Sequence, residues 1–325
     1  MAIARRHAII AVCACVMGCG TNADVDQSYP TRPVRLIVGA APGGGSDILA
    51  RKLSPGLAEN LGQAVVVENK PGAGGVVGAS AGAAAAPDGY TLTLISSSHA
   101  SNSALNASLP YDPVESYSPI VLFALSPQAL VVHPDAPFKT VDELLAYSNA
   151  NPGRLNMGSS GVGGIPHLSG ELLKTMSGIS FEHIPFKGGG EAMLALMARR
   201  IDFLFVTTST ARAPAAAGQL RIIGVASAER LSEFPEVPTI SEAGVPGYEA
   251  SNWAGVLAPA GTPADVVATV ADAFLETIGS EDVNDWLIQE GLQPVAIGPE
   301  EFRGVLRSDM AKWAKVATDA RIGAN

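Results

Sequence analysis

Two glycine runs stand directly before apolar helical patterns, and their residue types suit the binding of an anion. The first is Gly43-Gly44-Gly45 followed by Ser46 and Asp47; the second is Ser159-Ser160-Gly161-Val162-Gly163-Gly164, closely followed by His167. A helix that begins at such a run has backbone N–H groups without intrahelical partners, and glycine lets a ligand come close to them. The candidate ligand-binding residues are therefore Gly43, Gly44, Gly45, Ser46 and Asp47 on one side and Ser159, Ser160, Gly161, Gly163, Gly164 and His167 on the other. Ser98 and His99, at the end of a strand, and Lys187, in another glycine turn, complete the set. Each also has a plainer reading: a tight turn capped by Ser46 or Asp47, a histidine capping its own helix, a solvated loop lysine.

Other chemistries fit the sequence less well. Gly72-Ala73-Gly74-Gly75-Val76-Val77-Gly78 is spaced G-x-G-x-x-x-G, not G-x-G-x-x-G, and the next strand ends in Ser96 where a ribose-binding acid would stand. No Gly-Lys-Ser/Thr follows any glycine run, which removes a P-loop. Gly78-Ala79-Ser80-Ala81-Gly82 matches G-x-S-x-G, but Ser80 falls inside an Ala-rich helical run; a serine hydrolase remains the enzyme-class alternative. His99, His133, His167 and His183 form no pair at metal-ligand spacing, so neither metal nor cofactor is expected.

The elements that must position these loops follow a regular order. Val34 to Val38 is a short buried strand, and Ile48, Leu49, Leu53 and Leu57 continue at helical spacing, with Pro55-Gly56 expected to kink or divide that helix. Strands are expected at 64–69 and 90–95, with a helix at 76–86 between them. The design repeats after Ile120: a strand at Leu130, a helix opened by the Thr140/Glu143 capping box, a strand into the serine-glycine run, and a helix at 166–176. Strands at 181–186, 201–206 and 220–226 follow, with helices at 191–199, 263–278, 281–290 and 299–317. Alternating strands and helices with glycine or serine at strand ends predict a parallel α/β sheet with ligands beyond the carboxyl ends of its strands.

The chain of 325 residues is 47% apolar and 16% charged, enough for two domains with sizeable cores. Arg5 and Arg6 precede an uncharged apolar run, which reads as an export signal over residues 1–18, with a tether at 19–29. All three cysteines lie at or before Cys19, so the body carries no disulfide. Losing Arg5 and Arg6 with the signal takes the formal charge from −10 to −12, which excludes a nucleic-acid partner. Val16-Met17-Gly18-Cys19 resembles a lipobox, in which Cys19 becomes the lipidated first residue; ordinary cleavage near Ala23 is the alternative.

Read together, the motifs resemble one family. Val34-Arg35-Leu36-Ile37-Val38 with Ala41-Pro42-Gly43-Gly44-Gly45-Ser46-Asp47, Glu68-Asn69-Lys70-Pro71-Gly72-Ala73-Gly74-Gly75, and Pro87-Asp88-Gly89-Tyr90 are similar to the periplasmic receptors of tripartite tricarboxylate transporters, the Bug family. Leu109-Pro110-Tyr111-Asp112-Pro113, Ile184-Pro185-Phe186-Lys187-Gly188 and Ala258-Pro259-Ala260-Gly261-Thr262-Pro263 extend the resemblance along the chain. It implies a two-domain α/β fold of the type II-like periplasmic-binding-protein kind, a Venus flytrap. Residues 30–124 and 248–325 would form the first domain and 125–247 the second. The implied function is non-enzymatic: a small carboxylate is held between the two loops and delivered to the membrane permease subunits of a tripartite transporter, with a ligand sensor as the alternative. The receptor is expected to be a periplasmic monomer that touches the membrane only through the Cys19 lipid. Gly39-Ala40 and Val206, where the family often has Pro-Phe and aspartate, bear on the ligand rather than on the fold.

Overall fold

The computed structural model describes residues 29–106 and 108–322, so the export signal, Cys19 and nearly all of the expected tether lie outside the described residues. The chain runs β1 (Val34–Val38), α1 (Gly45–Leu61), β2 (Val65–Asn69), α2 (Val76–Ala83), β3 (Thr91–Ser96) and α3 (Ser98–Leu105). It continues with β4 (Tyr117–Val132), α4 (Val141–Ala150), β5 (Leu155–Ser159), α5 (Ile165–Ser177), β6 (Phe181–Pro185), α6 (Gly189–Met197), β7 (Phe203–Thr207), α7 (Thr208–Ala216) and β8 (Arg221–Val225). The last elements are β9 (Ser251–Pro259), α8 (Ala264–Gly279), α9 (Glu281–Gln289), β10 (Gln293–Ile297) and α10 (Pro299–Asp319).

The strands form one sheet in the order β2-β1-β3-β9-β4-β7-β5-β6, with β10 and β8 also paired to β4. Pairing is parallel where strand–helix–strand units build it, β1 with β2 and β3, and β5 with β6 and β7. It is antiparallel wherever β4 or β9 takes part. The sheet is therefore mixed, not purely parallel. The sequence reading missed the difference because Ser126-Pro127 interrupts the apolar run of β4 and Gly255 that of β9, which disguises both as loops. Beyond Pro127 the partners of β4 change from β9 to β7 and β8, and backbone bonds join Gln128, Ala226 and Ala250 at the crossing.

The helix after the first glycine loop is not divided. Pro55 sits inside an unbroken α1, and Gly56 has a packing role: a Cβ there would stand 2.8 Å from Thr277 Cγ2 of α8. Leu53 and Leu57 of α1 meet Val270 and Phe274 of α8 over Leu36, Ile120 and Val256 of the sheet. A second cluster runs through both halves, joining Ile95 and Tyr117 to Leu168, Phe203 and Phe205 through Phe302, Leu306 and Trp313 of α10. Elements the sequence did not disclose are α3, α7, most of β4, β9 and β10.

Candidate functional site

The two glycine loops fold in the same way. Gly43 and Gly163 take left-handed φ values of +80° and +79°, and the next residue, Gly44 or Gly164, is an extended N-cap with φ/ψ of −73°/159° or −69°/158°. In each loop the third helical residue turns back to hold the N–H that precedes the cap. Gly43 N–H donates to Asp47 Oδ2 (2.8 Å), and Gly163 N–H donates to His167 Nδ1 (3.0 Å). A carboxylate and an imidazole thus do the same job at matching positions. Pro166 is tolerated within the first turn of α5 because its missing N–H would have no intrahelical partner there.

This geometry gives several of the expected residues bonding partners within the protein. Asp47 is buried and engaged by Arg51, by Gly43 and by the Asn69 amide, and those donors hold its carboxyl down at about 2. A buried carboxylate needs such donors, so it turns inward and braces the loop. His167 is likewise buried and stacked on His183, with ring centroids 3.6 Å apart. Burial pushes the His167 pKa down to about 3 and that of His183 to about 4, so both rings are neutral. Ser159 Oγ donates to the Gly161 carbonyl (3.0 Å), accepts from Gly161 N–H (3.2 Å) and lies 2.7 Å from His183 Nε2. Gly44 N–H is bonded to the Ala41 carbonyl. Lys187 is exposed, and its backbone N–H is held by Glu191 Oε2.

The N–H groups left at the start of α1 are those of Gly45, Ser46 and Asp47, and at the start of α5 those of Ile165 and His167; none has an acceptor among the described residues. Both helix starts reach one cavity of about 350 Å³, α1 through Gly45 and Ser46, α5 through Ile165. Its other walls include Leu49, Ser97, Ser126, Asn252, Trp253 and Leu292. Trp253 is fixed by donating Nε1–H to Asp309 Oδ2 (2.7 Å), and Ser97 donates to Asn252 Oδ1 (2.9 Å), which leaves the Asn252 NH₂ as a donor. A smaller cavity of about 230 Å³ shares Ser46, Ser96 and Ser98 with the first and extends past Gly39, Ala40 and the end of β3 to His99, Asn102 and Tyr111.

Of the expected residues, Gly45, Ser46, Ser98 and His99 line these cavities. Gly43, Gly44, Asp47, Ser159, Gly161, Gly163, Gly164 and His167 shape the loops behind them; Ser160 is exposed, and with Lys187 lines neither cavity. The sequence reading missed Trp253 and Asn252 because β9 was not recognised as a strand. The bend after β2, weighed as a dinucleotide motif, instead supplies Gly74 and Gly75 as cavity floor. Ser80 lies mid-helix in α2, and no histidine bonds its hydroxyl among the described residues, so the elbow geometry of a serine hydrolase is not formed.

Residues 49–321 match the tripartite tricarboxylate transporter family receptor. The chain is 34% identical over 321 residues to protein BugT of Bordetella pertussis, covering 98% of each. Among solved structures it is similar to a TctC solute-binding protein from Polaromonas, with 29% identity, TM-score 0.84 and coverage of 90% of this chain and 100% of that one. It is also similar to an R. palustris protein solved with adipate, with 33% identity, TM-score 0.74 and coverage of 91% and 100%. The family is one of transporter receptors, and the Polaromonas neighbour is a solute-binding protein, not an enzyme. The chain belongs to the tripartite tricarboxylate transporter receptor family and is a solute-binding receptor.

Proposed function

We propose that this receptor captures a small carboxylate in the cavity between the starts of α1 and α5 and delivers it to the permease subunits of a tripartite transporter. The observation that carries the reading is the arrival of two helix starts at one cavity, each with N–H groups that have no acceptor among the described residues. Each start contributes about half a positive charge, which suits a carboxylate without an arginine clamp. The adipate in the R. palustris relative is a precedent for that ligand chemistry. The two-domain division, with chain crossings near residues 124 and 248, forms a hinge that closes on ligand. Export to the periplasm and lipidation of Cys19 complete the reading.

The test begins with protein freshly purified from its host, gently denatured, and mass spectrometry of the small molecules released. A carboxylate that rebinds in calorimetry and compacts the protein in small-angle scattering is the expected result. A released ligand without a carboxylate, or binding with no compaction, refutes the corresponding part of the proposal.

A further inference from the structure

Both cavities are walled without charge. Among the described residues lining them there is no Asp, Glu, Lys or Arg. The larger cavity offers an apolar body site made by Leu49, Ala124, Ile165, Trp253, Ala254 and Leu292. The smaller one is floored by backbone: a Cβ on Gly39 would stand 2.9 Å from Gly75 Cα, so glycine keeps the chamber's floor thin. Its polar wall consists of Ser96 and Ser98, whose hydroxyls bond each other at 2.9 Å, with Asn102, His99 and Tyr111.

Two buried atoms of residues lining that chamber, His99 Nδ1 and Tyr111 Oη, have no hydrogen-bond partner among the described residues. His99 Nε2 lies 2.8 Å from the Pro113 carbonyl, which can only accept, so the ring proton is on Nε2 and Nδ1 is a vacant acceptor. Tyr111 Oη–H is a vacant donor, and burial pushes its pKa up to about 12, which keeps it protonated. Orphaned donors and acceptors destabilise a buried wall until something pairs with them. An uncharged group that both donates and accepts, such as a hydroxyl or carboxamide, matches this pair and the serine hydroxyls beside it. A second carboxylate does not: it would be desolvated with no cation beside it, in a protein of strongly negative net charge, after the first had taken the helix starts.

We propose that the solute is a monocarboxylate with an apolar body and an uncharged hydrogen-bonding far end, so that the carboxylate meets the helix starts, the body lies on Trp253 and the far end enters the serine-walled chamber. This rests on the carboxylate-receptor reading above. The experiment is calorimetry on the mature protein, dialysed free of ligand, with two matched sets: hexanoate, 6-hydroxyhexanoate and adipate, and benzoate, 4-hydroxybenzoate and terephthalate. The hydroxy acid should bind at least tenfold more tightly than the diacid in one set or both, and Tyr111→Phe should bring the affinity ratio of hydroxy acid to unsubstituted acid towards one. Tighter binding of the diacid in both sets would overturn the inference and leave the carboxylate reading intact. An unchanged ratio in Tyr111→Phe would overturn the assignment of the far end to this chamber. If none of the six acids bound, the inference would fall, while the carboxylate reading would be decided by the chemistry of the released ligand.

Discussion

The double substitution His167→Asn with His183→Gln should flatten the acid sensitivity of the protein. In His167→Asn the new amide oxygen can accept the Gly163 N–H in place of Nδ1, and in His183→Gln the new amide can offer an N–H to Ser159 in place of Nε2, so the second loop keeps its bonds. The substitutions remove the titration, and the loss of the ring stacking is the same at every pH and cancels when pH profiles are compared. Burial depresses the His167 pKa to about 3, helped by repulsion from His183 and Lys174, and that of His183 to about 4, helped by repulsion from Lys174. Glu171 is also close, its Oε1 3.8 Å from His167 Nε2, and works against the shift. An unfolded histidine titrates near about 6.5, so below that pH the unfolded chain binds more protons than the folded one and stability falls as pH falls. The full presence of this contribution lies above about pH 6.5, and its loss continues down towards the folded values. Each ring loses at most about 1.4 kcal/mol per pH unit, which by pH 5 amounts to about 4 kcal/mol for the pair; partial solvent access and relaxation reduce this to about 2 kcal/mol. Urea unfolding at pH 7.5, 6 and 5 measures it. The wild type should lose about 2 kcal/mol more than the double variant between the ends of that range, and the carboxylates, common to both, cancel in the difference. Parallel pH profiles would show that the stacked rings titrate normally and that the reasoning from burial is wrong.

Gly45→Val should leave the unfolding midpoint nearly unchanged, since nothing lies within 4 Å of a Cβ there, yet weaken binding of the released ligand at least tenfold in calorimetry; Lys187→Ala should change affinity less than twofold. The reverse ranking would move the anion site to the lysine. Gly78→Ala should destabilise by about 1–3 kcal/mol, because its Cβ would stand 2.7 Å from Gly39 Cα and two backbones must separate; an unchanged denaturant midpoint would refute that close approach. Wild-type protein should fractionate with the membranes of its host, and Cys19→Ala should not be processed as a lipoprotein; wild-type protein found wholly soluble and starting near Asp24 would rule out the anchor.

Much of the architecture was legible because periodicity and punctuation agree locally. The apolar run of β1, the glycines before α1, the Thr140 and Glu143 box of α4, where Glu143 N–H donates to Thr140 Oγ1 at 3.2 Å, and the amphipathic α8 and α10 each carry their own signal. The long β4 and β9 carry a weaker one, interrupted by Ser126-Pro127 and Gly255, and are recognisable only through their pairing with each other. A strand buried on both faces reads as an apolar run, and a single break makes it look like a loop.

The sequence by itself determined the two glycine loops, the helices they open and, through the order of the motifs, the family. Local spacing was sufficient for these, because a loop and the first turn behind it are fixed by neighbours in the chain. Which side chains line the candidate cavity was decided by tertiary structure. Asp47 and His167 occupy equivalent places in two loops and look like ligand groups, but each has a backbone N–H four residues back that needs an acceptor, and burial makes that demand prevail. Trp253 and Ile165, distant in sequence and silent as motifs, share one cavity with Ser46 because β9 crosses beside β3 and α5 turns its first residue towards the same cleft. Contacts between residues so far apart in the chain leave no periodic trace, so only the folded packing could assign them to the site.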